Sequence, residues 1–352
     1  MSVNIIKLFN CCKRKKSSSC SAEQAAKAAK AANGTLSIVK VLDILSQNIG
    51  LFLEPKEVLR LTETSAHFEE QSKFNGAIKI KENAPKEEII NLINKNKDHL
   101  EILDLSGNPN VDYKLLNELA NSESLKKSLQ ELNLTLCYGV TDVSVLANLE
   151  KLHTLNLINC FRVTDVSALA DCASLHTLDL SYCHQVTEVS ALADCASLHT
   201  LNLIECDQVT DVSALGRCAS LHTLNLKGCD EITNVSALGK CASLQELNLT
   251  RCYGVTDVRA LATCPSLHTL DLMNCFGLTD VSISALADCT SLHMLYLNGS
   301  GVTDVSALAG CASLHTLYLS GLGVTDVSAL ADCASLHTLD LTGCYSVTDV
   351  SA

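Results

Sequence analysis

The sequence predicts an α/β solenoid, a curved stack in which each turn contributes one parallel strand and one short helix. Three observations predict this fold. An apolar pattern L-x-x-L-x-L recurs along most of the 352-residue chain. Six successive steps between copies are 23 residues long, which is the regularity of a repeat architecture. Two cysteine positions recur with the same period, so each turn places equivalent side chains at equivalent points.

The repeat is numbered here from the first leucine of the pattern, which is position 1. Eleven repeats then begin at Leu100, Leu129, Leu152, Leu175, Leu198, Leu221, Leu244, Leu267, Leu292, Leu314 and Leu336. The spacing L-x-x-L-x-L-x-x-N/C is that of a leucine-rich repeat. Along an extended strand Leu178 and Leu180 point one way and Thr177 the other. We therefore expect a leucine-rich-repeat horseshoe of about eleven repeats of 22–29 residues over residues 85–352, with parallel strands on the concave face.

The second half of each repeat reads V-T-D-V-S-A-L-A and predicts a short helix on the convex face, capped by Thr or Asp. Of the 19 cysteines, 16 fall at position 9 or just before the next strand. A recurring place of this kind suits a small buried group, and a thiol at position 9 can donate to the neighbouring turn's backbone. This usage favours a reduced, cytoplasmic protein.

Histidine recurs at position 2 in eight repeats, from His153 to His337. Such a row is compatible with metal binding or pH sensing. However, catalysis needs a distinct partner for each histidine, and none is visible in the sequence. We interpret the row as filling a half-exposed slot at the strand edge, and no C-x-x-C pair indicates zinc. The sequence predicts neither a metal nor a cofactor.

Positions 7, 8, 10 and 11 vary between repeats while the rest hold, and position 5 changes to Tyr in two repeats. Eight of the thirteen Phe and Tyr residues fall at these places. Because Tyr and Arg dominate protein–protein hot spots, we expect a protein partner here, although free drift of exposed positions is the alternative. The expected contact residues on the concave face and rim are Tyr138, Phe161, Arg162, Tyr182, His184, Glu205, Asp207, Lys227, Asp230, Arg251, Tyr253, Asn274, Phe276, Tyr296, Tyr318 and Tyr345.

Charge and motif content exclude several function classes. The net charge is −13 although residues 1–34 hold seven Lys and Arg against one acid, so the repeats are strongly acidic. Nucleic acid is therefore not an expected partner, because Lys and Arg supply most of its binding energy. The chain has no nucleophile–base pairing, no G-x-S-x-G and no phosphate loop, which indicates a protein that is not an enzyme.

Residues 35–80 lack the repeat and carry aliphatic residues at near-helical spacing, with Pro55 at the first turn of a second helix. This segment resembles an F-box. Its second half follows the motif order through Leu53, Pro55, Val58, Leu59, Arg60, Ser65 and Phe68. Its first half departs from the motif, since Val41 and Leu42 replace the Leu-Pro opening and one extra residue precedes Leu53.

The repeats carry a second resemblance. The sequence L-x-x-L-x-L-x-x-C followed by V-T-D is similar to the cysteine-containing repeats of F-box/leucine-rich-repeat proteins. The V-T-D-V-S-A-L half is also similar to the repeats of bacterial internalins, which have Asn at position 9. The first resemblance implies a substrate receptor of a Skp–cullin–F-box ubiquitin ligase, with the target on the repeats and a Skp-type adaptor on the F-box. The implied adaptor contacts are Leu45, Ile49, Leu53, Pro55, Val58 and Leu59.

Two alternatives remain open at the ends of the chain. The helices of residues 35–80 would also serve as a cap over the first repeat, which leaves a plain repeat scaffold or a host-directed binder. In residues 1–34, Cys11 and Cys12 precede a basic run, a pattern of lipidation and peripheral membrane contact. The alternative there is a disordered basic leader. The sequence stops within a repeat at Ala352, so we expect a truncated chain or an end covered by another molecule.

Overall fold

The computed structural model describes residues 76–347, which contain a single parallel sheet of twelve strands in sequential order. The predicted leucine-rich-repeat solenoid is confirmed. The first strand precedes residue 85, where the repeat domain is predicted to begin. The strands are β1 (Ala77–Lys79), β2 (Ile102–Asp104), β3 (Glu131–Asn133), β4 (Thr154–Asn156), β5 (Thr177–Asp179), β6 (Thr200–Asn202), β7 (Thr223–Asn225), β8 (Glu246–Asn248), β9 (Thr269–Asp271), β10 (Met294–Tyr296), β11 (Thr316–Tyr318) and β12 (Thr338–Asp340).

Each strand from β2 onward occupies positions 3 to 5 of its repeat, and equivalent residues pair across the sheet. Leu178 at position 4 pairs with Leu155 on one side and Leu201 on the other. The leucines at positions 4 and 6 of this repeat, Leu178 and Leu180, are 0% exposed. Thr177, which precedes these leucines, and Asp179, which lies between them, stay partly exposed. The predicted alternation, with leucines inside and polar residues on the concave face, therefore holds.

Repeat length decides which helix joins two strands. The 29-residue step holds α2 (Tyr113–Ala120) and α3 (Glu123–Ser128), and the 25-residue step holds the short α4 (Asp280–Ser284). In the repeats of 22 and 23 residues the helix is a 3-10 helix, whose larger rise per residue spans the return with fewer residues. Ahead of the repeats lies α1 (Lys86–Asn96). The 3-10 helices are Lys97–His99, Ser144–Asn148, Ser167–Asp171, Ser190–Asp194, Ser213–Arg217, Ser236–Lys240, Arg259–Thr263, Ala285–Asp288, Ser306–Gly310 and Ser328–Asp332.

The residue that caps these helices differs between repeats. Before a 3-10 helix the Asp of V-T-D accepts from the first helical N–H, as when the Asp165 carboxylate accepts from Ser167 N at 2.8 Å. Before α4 the threonine takes this role, and Thr279 Oγ1 accepts from Ser282 N at 3.4 Å. The α-helix α2 is also capped by an aspartate, since the Asp112 carboxylate accepts from Leu115 N at 3.1 Å, and both residue types agree with the predicted caps.

Two cysteine rows run through the core, as predicted. All sixteen cysteines of the described chain are buried free thiols. The position-9 thiols donate to the carbonyl oxygen of the position-6 leucine one repeat earlier, for example Cys206 Sγ to Leu180 O at 3.1 Å. In the second row Cys195 Sγ donates to Leu169 O at 3.4 Å. Burial raises the pKa of the Cys183 thiol to about 12, so these groups stay protonated.

Several sequence-based expectations lie outside the described residues. They are the F-box-like helices up to residue 75 with their adaptor contacts, the lipidation residues Cys11 and Cys12, and the chain end at Ala352. Within residues 76–347, no helix combines the length and the apolar character needed to span a bilayer.

Candidate partner-binding face

The polar residues at position 5 end the strands. The Asp179 carboxylate accepts from Ser181 N at 2.9 Å, and Asn225 Oδ1 accepts from Lys227 N at 3.1 Å. Each bond closes a turn two residues long, which directs the chain away from the sheet. Burial raises the pKa of Asp179. The sequence placed this row on the concave face, and the structure adds that one oxygen of each turn-forming side chain is already used.

On β10 and β11, tyrosine takes the place of the polar residue at position 5. Tyr296 and Tyr318 stack with ring centroids 4.8 Å apart and an interplanar angle of 6°. Both rings are half-buried, and burial raises the pKa of Tyr296. A phenol ring cannot close the turn that Asp or Asn closes. In the same repeat Asn298 Oδ1 and Ser300 Oγ are buried with no hydrogen-bond partner in the described chain. The stacked pair forms an aromatic patch on the concave face.

Position 8 adopts the left-handed conformation in all eleven repeats. Five repeats place glycine there, which adopts a positive φ without steric cost. Two place asparagine, and the remaining four place Leu136, Tyr182, Glu205 and Arg251, with φ between 54° and 63°. A left-handed conformation costs such a residue roughly 1–2 kcal/mol. This left-handed position is not among the sequence-based predictions, although glycine recurs there at Gly107, Gly228, Gly299, Gly321 and Gly343 and indicates it.

The turn itself explains why position 8 must be left-handed. Its N–H continues the ladder beyond the strand, as Tyr182 N donates to Ile204 O at 2.7 Å. The next N–H folds back, and Cys183 N donates to Leu180 O at 2.9 Å. The chain therefore reverses within two residues to send the cysteine inward. The side chain at position 8 is thereby held on the rim, the loop edge that follows the strands at positions 7, 8, 10 and 11.

The rim side chains of the central repeats form one connected cluster. Glu205 and Arg251 pair at 3.3 Å between oxygen and nitrogen, although one repeat lies between theirs. They meet over Gly228, where an added Cβ would lie 2.6 Å from the Glu205 carboxyl carbon. Arg251 Nε donates to Tyr253 OH at 3.1 Å. The Tyr253 ring in turn stacks on Phe276 with centroids 5.4 Å apart.

The other rim contacts lie at position 10 and beside it. His184 Nδ1 lies 2.6 Å from the Asp207 carboxylate, and the Tyr182 ring meets His184 edge-on at 6.2 Å. Tyr138 and Phe161 pack with centroids 5.0 Å apart. The structure therefore brings most of the expected contact residues into neighbouring pairs. Of the others, Arg162 and Asp230 are exposed, Lys227 and Asn274 are half-buried, and Tyr345 in the last repeat is 96% exposed.

The histidines of position 2 form two stacks of four rings, separated at Gln245. The rings of His176 and His199 lie 4.5 Å apart at 4°. His222 Nδ1 is 2.6 Å from the carbonyl oxygen of Ser220, and since a carbonyl only accepts, Nδ1 carries the proton. The Nε2 lone pair lies in the ring plane, so the lone pairs of parallel rings do not converge on one ion. This geometry favours the structural interpretation of the row.

Comparisons with known proteins cover the repeats. The family model described as "BspA type Leucine rich repeat region" matches in six copies over residues 124–245 and 213–337. An internalin, InlF of Listeria monocytogenes, aligns with a TM-score of 0.58 and 26% identity over 70% of this chain and 68% of its own. A leucine-rich-repeat protein of Leptospira interrogans aligns with a TM-score of 0.52 and 19% identity over 74% and 69%. No curated protein sequence gives a significant match.

Proposed function

The chain belongs to the family of BspA-type leucine-rich-repeat proteins, and we propose that it is a non-catalytic scaffold that binds a protein on its concave face and rim. One observation carries this proposal. Tyr182, Glu205 and Arg251 keep large side chains in a left-handed conformation for which five other repeats use glycine. Residues held in such costly conformations cluster at functional sites.

The chemistry of the rim supports a protein as the ligand. Tyr138, Phe161, Tyr253 and Phe276 are at least 39% exposed although each is large and apolar. Aromatic rings and arginine are the side chains that most often dominate protein–protein binding. Solenoid curvature also produces a long concave surface that suits a macromolecule better than a small ligand.

The proposal includes no catalysis. A thiolate is the form of cysteine that attacks a substrate, and burial raises the pKa of the Cys172 thiol to about 12. The rim pair of His184 and Asp207 has no hydroxyl or thiol within the described hydrogen bonds that it would activate. Its exposed position instead suits contact with a partner.

Site-specific photo-crosslinking tests the proposal. A photo-reactive amino acid at Tyr182 should capture a partner in the source cells, whereas the same group at the convex residue Lys240 should not. The captured protein is then purified and titrated calorimetrically. We expect the double variant Tyr182→Gly/Arg251→Gly to bind at least tenfold more weakly and Lys240→Ala to bind as the unaltered chain does. Equal binding by all three proteins contradicts the proposal.

We propose further, on the sequence resemblance alone, that residues 35–80 bind a Skp-type adaptor and make the chain a substrate receptor of a Skp–cullin–F-box ubiquitin ligase. The support is the motif order from Leu53 to Phe68. A purified Skp adaptor should co-elute with the chain, and Leu53→Asp/Val58→Asp should abolish this while the repeats keep their circular dichroism spectrum. Thr62→Asp, between motif positions, is the matched control. Absence of any complex with the unaltered chain favours the cap interpretation.

A further inference from the structure

The rim carries two aromatic pairs on either side of an acidic stretch. Tyr138 and Phe161 form the first pair, and Tyr253 and Phe276 the second. Between them positions 10 and 11 present acidic residues in two successive repeats, Asp207 and then Asp230 with Glu231. The two aromatic pairs therefore flank a stretch that carries three carboxylates, and the exposed Arg162 lies beside the first pair.

The acidic stretch keeps an excess of negative charge. Asp230 and Glu231 are exposed, and neither forms an ion pair within residues 76–347. The cation of Arg251 is paired with Glu205 at 3.3 Å and acts only at longer range on Asp230. Lys227 is half-buried and acts on Asp271 of the concave face. The Asp230 and Glu231 carboxylates can therefore receive cations from outside, whereas Asp207 is paired with His184.

The distance between the aromatic pairs sets the size of a ligand. Phe161 follows β4 and Tyr253 follows β8, and four strand spacings separate these strands. Parallel strands lie about 4.8 Å apart, so the facing edges of the two pairs are roughly 19 Å apart. An extended peptide covers this distance in about six residues. A single small molecule does not reach both pairs.

We infer that the rim binds a polypeptide segment with an apolar side chain at each end and Lys or Arg side chains between them. This inference rests on the proposed function and specifies its ligand. The apolar ends cover the exposed aromatic rings, and the cations between them meet Asp230 and Glu231, which follow β7 and lie nearer the Tyr253 pair. Phosphate-bearing ligands such as nucleic acid or anionic lipid would face the same carboxylates with like charge.

The charge pattern has a kinetic consequence. Exposed complementary charges accelerate encounter and are screened by salt, whereas contacts between apolar groups are much less sensitive to salt. Binding should therefore weaken with rising salt through slower association. Dissociation should respond mainly to removal of an aromatic ring.

Selection from a random 16-residue peptide display library on the immobilised full-length chain tests the inference. We expect enriched peptides to carry Lys or Arg flanked by aromatic or aliphatic residues about six residues apart. Synthetic versions should bind Asp230→Asn/Glu231→Gln at least tenfold more weakly, with slower association. They should bind Phe276→Ala at least tenfold more weakly, with faster dissociation. The convex control Lys240→Ala should bind as the unaltered chain does.

Three outcomes overturn the inference. Enriched peptides that are acidic or uncharged contradict it, as do basic peptides whose affinity ignores the Asp230→Asn/Glu231→Gln change, and so does a selection that enriches no motif. A motif of another composition that still depends on Tyr182 and Arg251 removes only this inference and leaves the proposed function standing. Matched thermal unfolding of all variants separates lost contact from lost folding.

Discussion

The repeats between residues 129 and 288 and those between residues 292 and 347 build the same turn and fill it differently. In the first region position 8 holds Leu136, Tyr182, Glu205 and Arg251 among others, all left-handed. In the second region it holds glycine in every repeat. Every repeat of both regions thus has a left-handed residue at position 8, and only the first region has large side chains there. The strained large side chains are therefore a property of the rim surface rather than of the fold.

The second region also moves its aromatic residues. Tyr296 and Tyr318 occupy the strand position that carries Asp or Asn elsewhere, where no left-handed conformation is needed. Position 9 changes as well, from buried cysteine to Ser300 and Leu322. The expected contact aromatics therefore lie mainly on the rim in the first region, whereas in the second Tyr296 and Tyr318 lie on the sheet and only Tyr345 lies on the rim. We interpret the two regions as presenting two different surfaces to a partner on one common core.

Matched core truncations test whether that core is common. Leu203 and Leu319 both occupy position 6, are 0% exposed and accept a thiol hydrogen bond at 3.0 Å. Leu203→Ala and Leu319→Ala should each lower the free energy of unfolding by about 2–5 kcal/mol, through lost burial and the cavity left behind. Urea unfolding followed by circular dichroism measures both. A large loss in one and none in the other would show that the regions differ in the core as well.

Much of this core could be predicted from the sequence. The period predicted the phase of every strand from β2 onward but not β1, which lies ahead of the repeats, and the alternation around Leu178 predicted which side chains are inside. Cys206 was placed correctly as a buried thiol that donates to the neighbouring turn. These features depend on local spacing that repeats, so one repeat serves as evidence for the next.

The rim could not be predicted in the same way. The φ of Tyr182 is a property of the turn and not of tyrosine, so only its glycine equivalents in other repeats indicate it. The pairing of Glu205 with Arg251 skips a repeat and depends on the missing side chain of Gly228. The 3-10 form of the helices follows from repeat length, which a capping pattern does not reveal.

A pair of glycine substitutions separates strain from contact. Gly228 and Gly321 share a φ of +74°, so alanine at either should cost about 1–2 kcal/mol of stability. An added Cβ at Gly228 meets the Glu205 carboxylate, whereas at Gly321 it meets nothing within 4 Å. Only Gly228→Ala should therefore displace Glu205 from Arg251 and weaken partner binding.

Thermal unfolding and calorimetric titration of both glycine variants provide the two measurements. Equal loss of binding in Gly228→Ala and Gly321→Ala would show that the ion pair over Gly228 does not shape the rim. Equal loss of stability with unequal loss of binding is the expected result.

Replacing a strained rim residue by glycine reverses the experiment. Tyr182→Gly should raise the free energy of unfolding by up to about 1 kcal/mol, since relief of the left-handed strain exceeds the chain entropy that glycine adds. Tyr182→Ala is the matched control, because it removes the ring and keeps the strain. Both variants should lose partner affinity, and only the glycine variant should gain stability in urea unfolding. A gain in the alanine variant would assign the cost to the ring instead.

The smallest expected effect compares two carboxylates at position 5, one from each region. Burial raises the pKa of Asp179, so its ionised form disfavours folding and the stability linked to it is lost as the pH rises through the folded pKa. The Thr342 and Ser320 hydroxyl groups lower the pKa of Asp340, so its contribution is present above the unfolded pKa of 3.8 and is lost as the pH falls. The two groups therefore respond to pH with opposite sign.

Asparagine substitutions at these two positions make the difference measurable. Asp179→Asn keeps the acceptor for Ser181 N, and adjacent strands already place Asn202 beside Asn225. At pH 7 it should raise stability by about 0.5 kcal/mol or less, with the gain shrinking towards pH 4. Asp340→Asn should lower stability at pH 7, and this loss should also shrink as the pH falls towards 4. Thermal unfolding of both variants between pH 4 and pH 7 decides the matter, since curves of equal sign would mean that the last repeat is as buried as the fifth strand. Opposite signs would instead show that the concave face is desolvated at β5 and solvated at β12, so that the change occurs between these two strands.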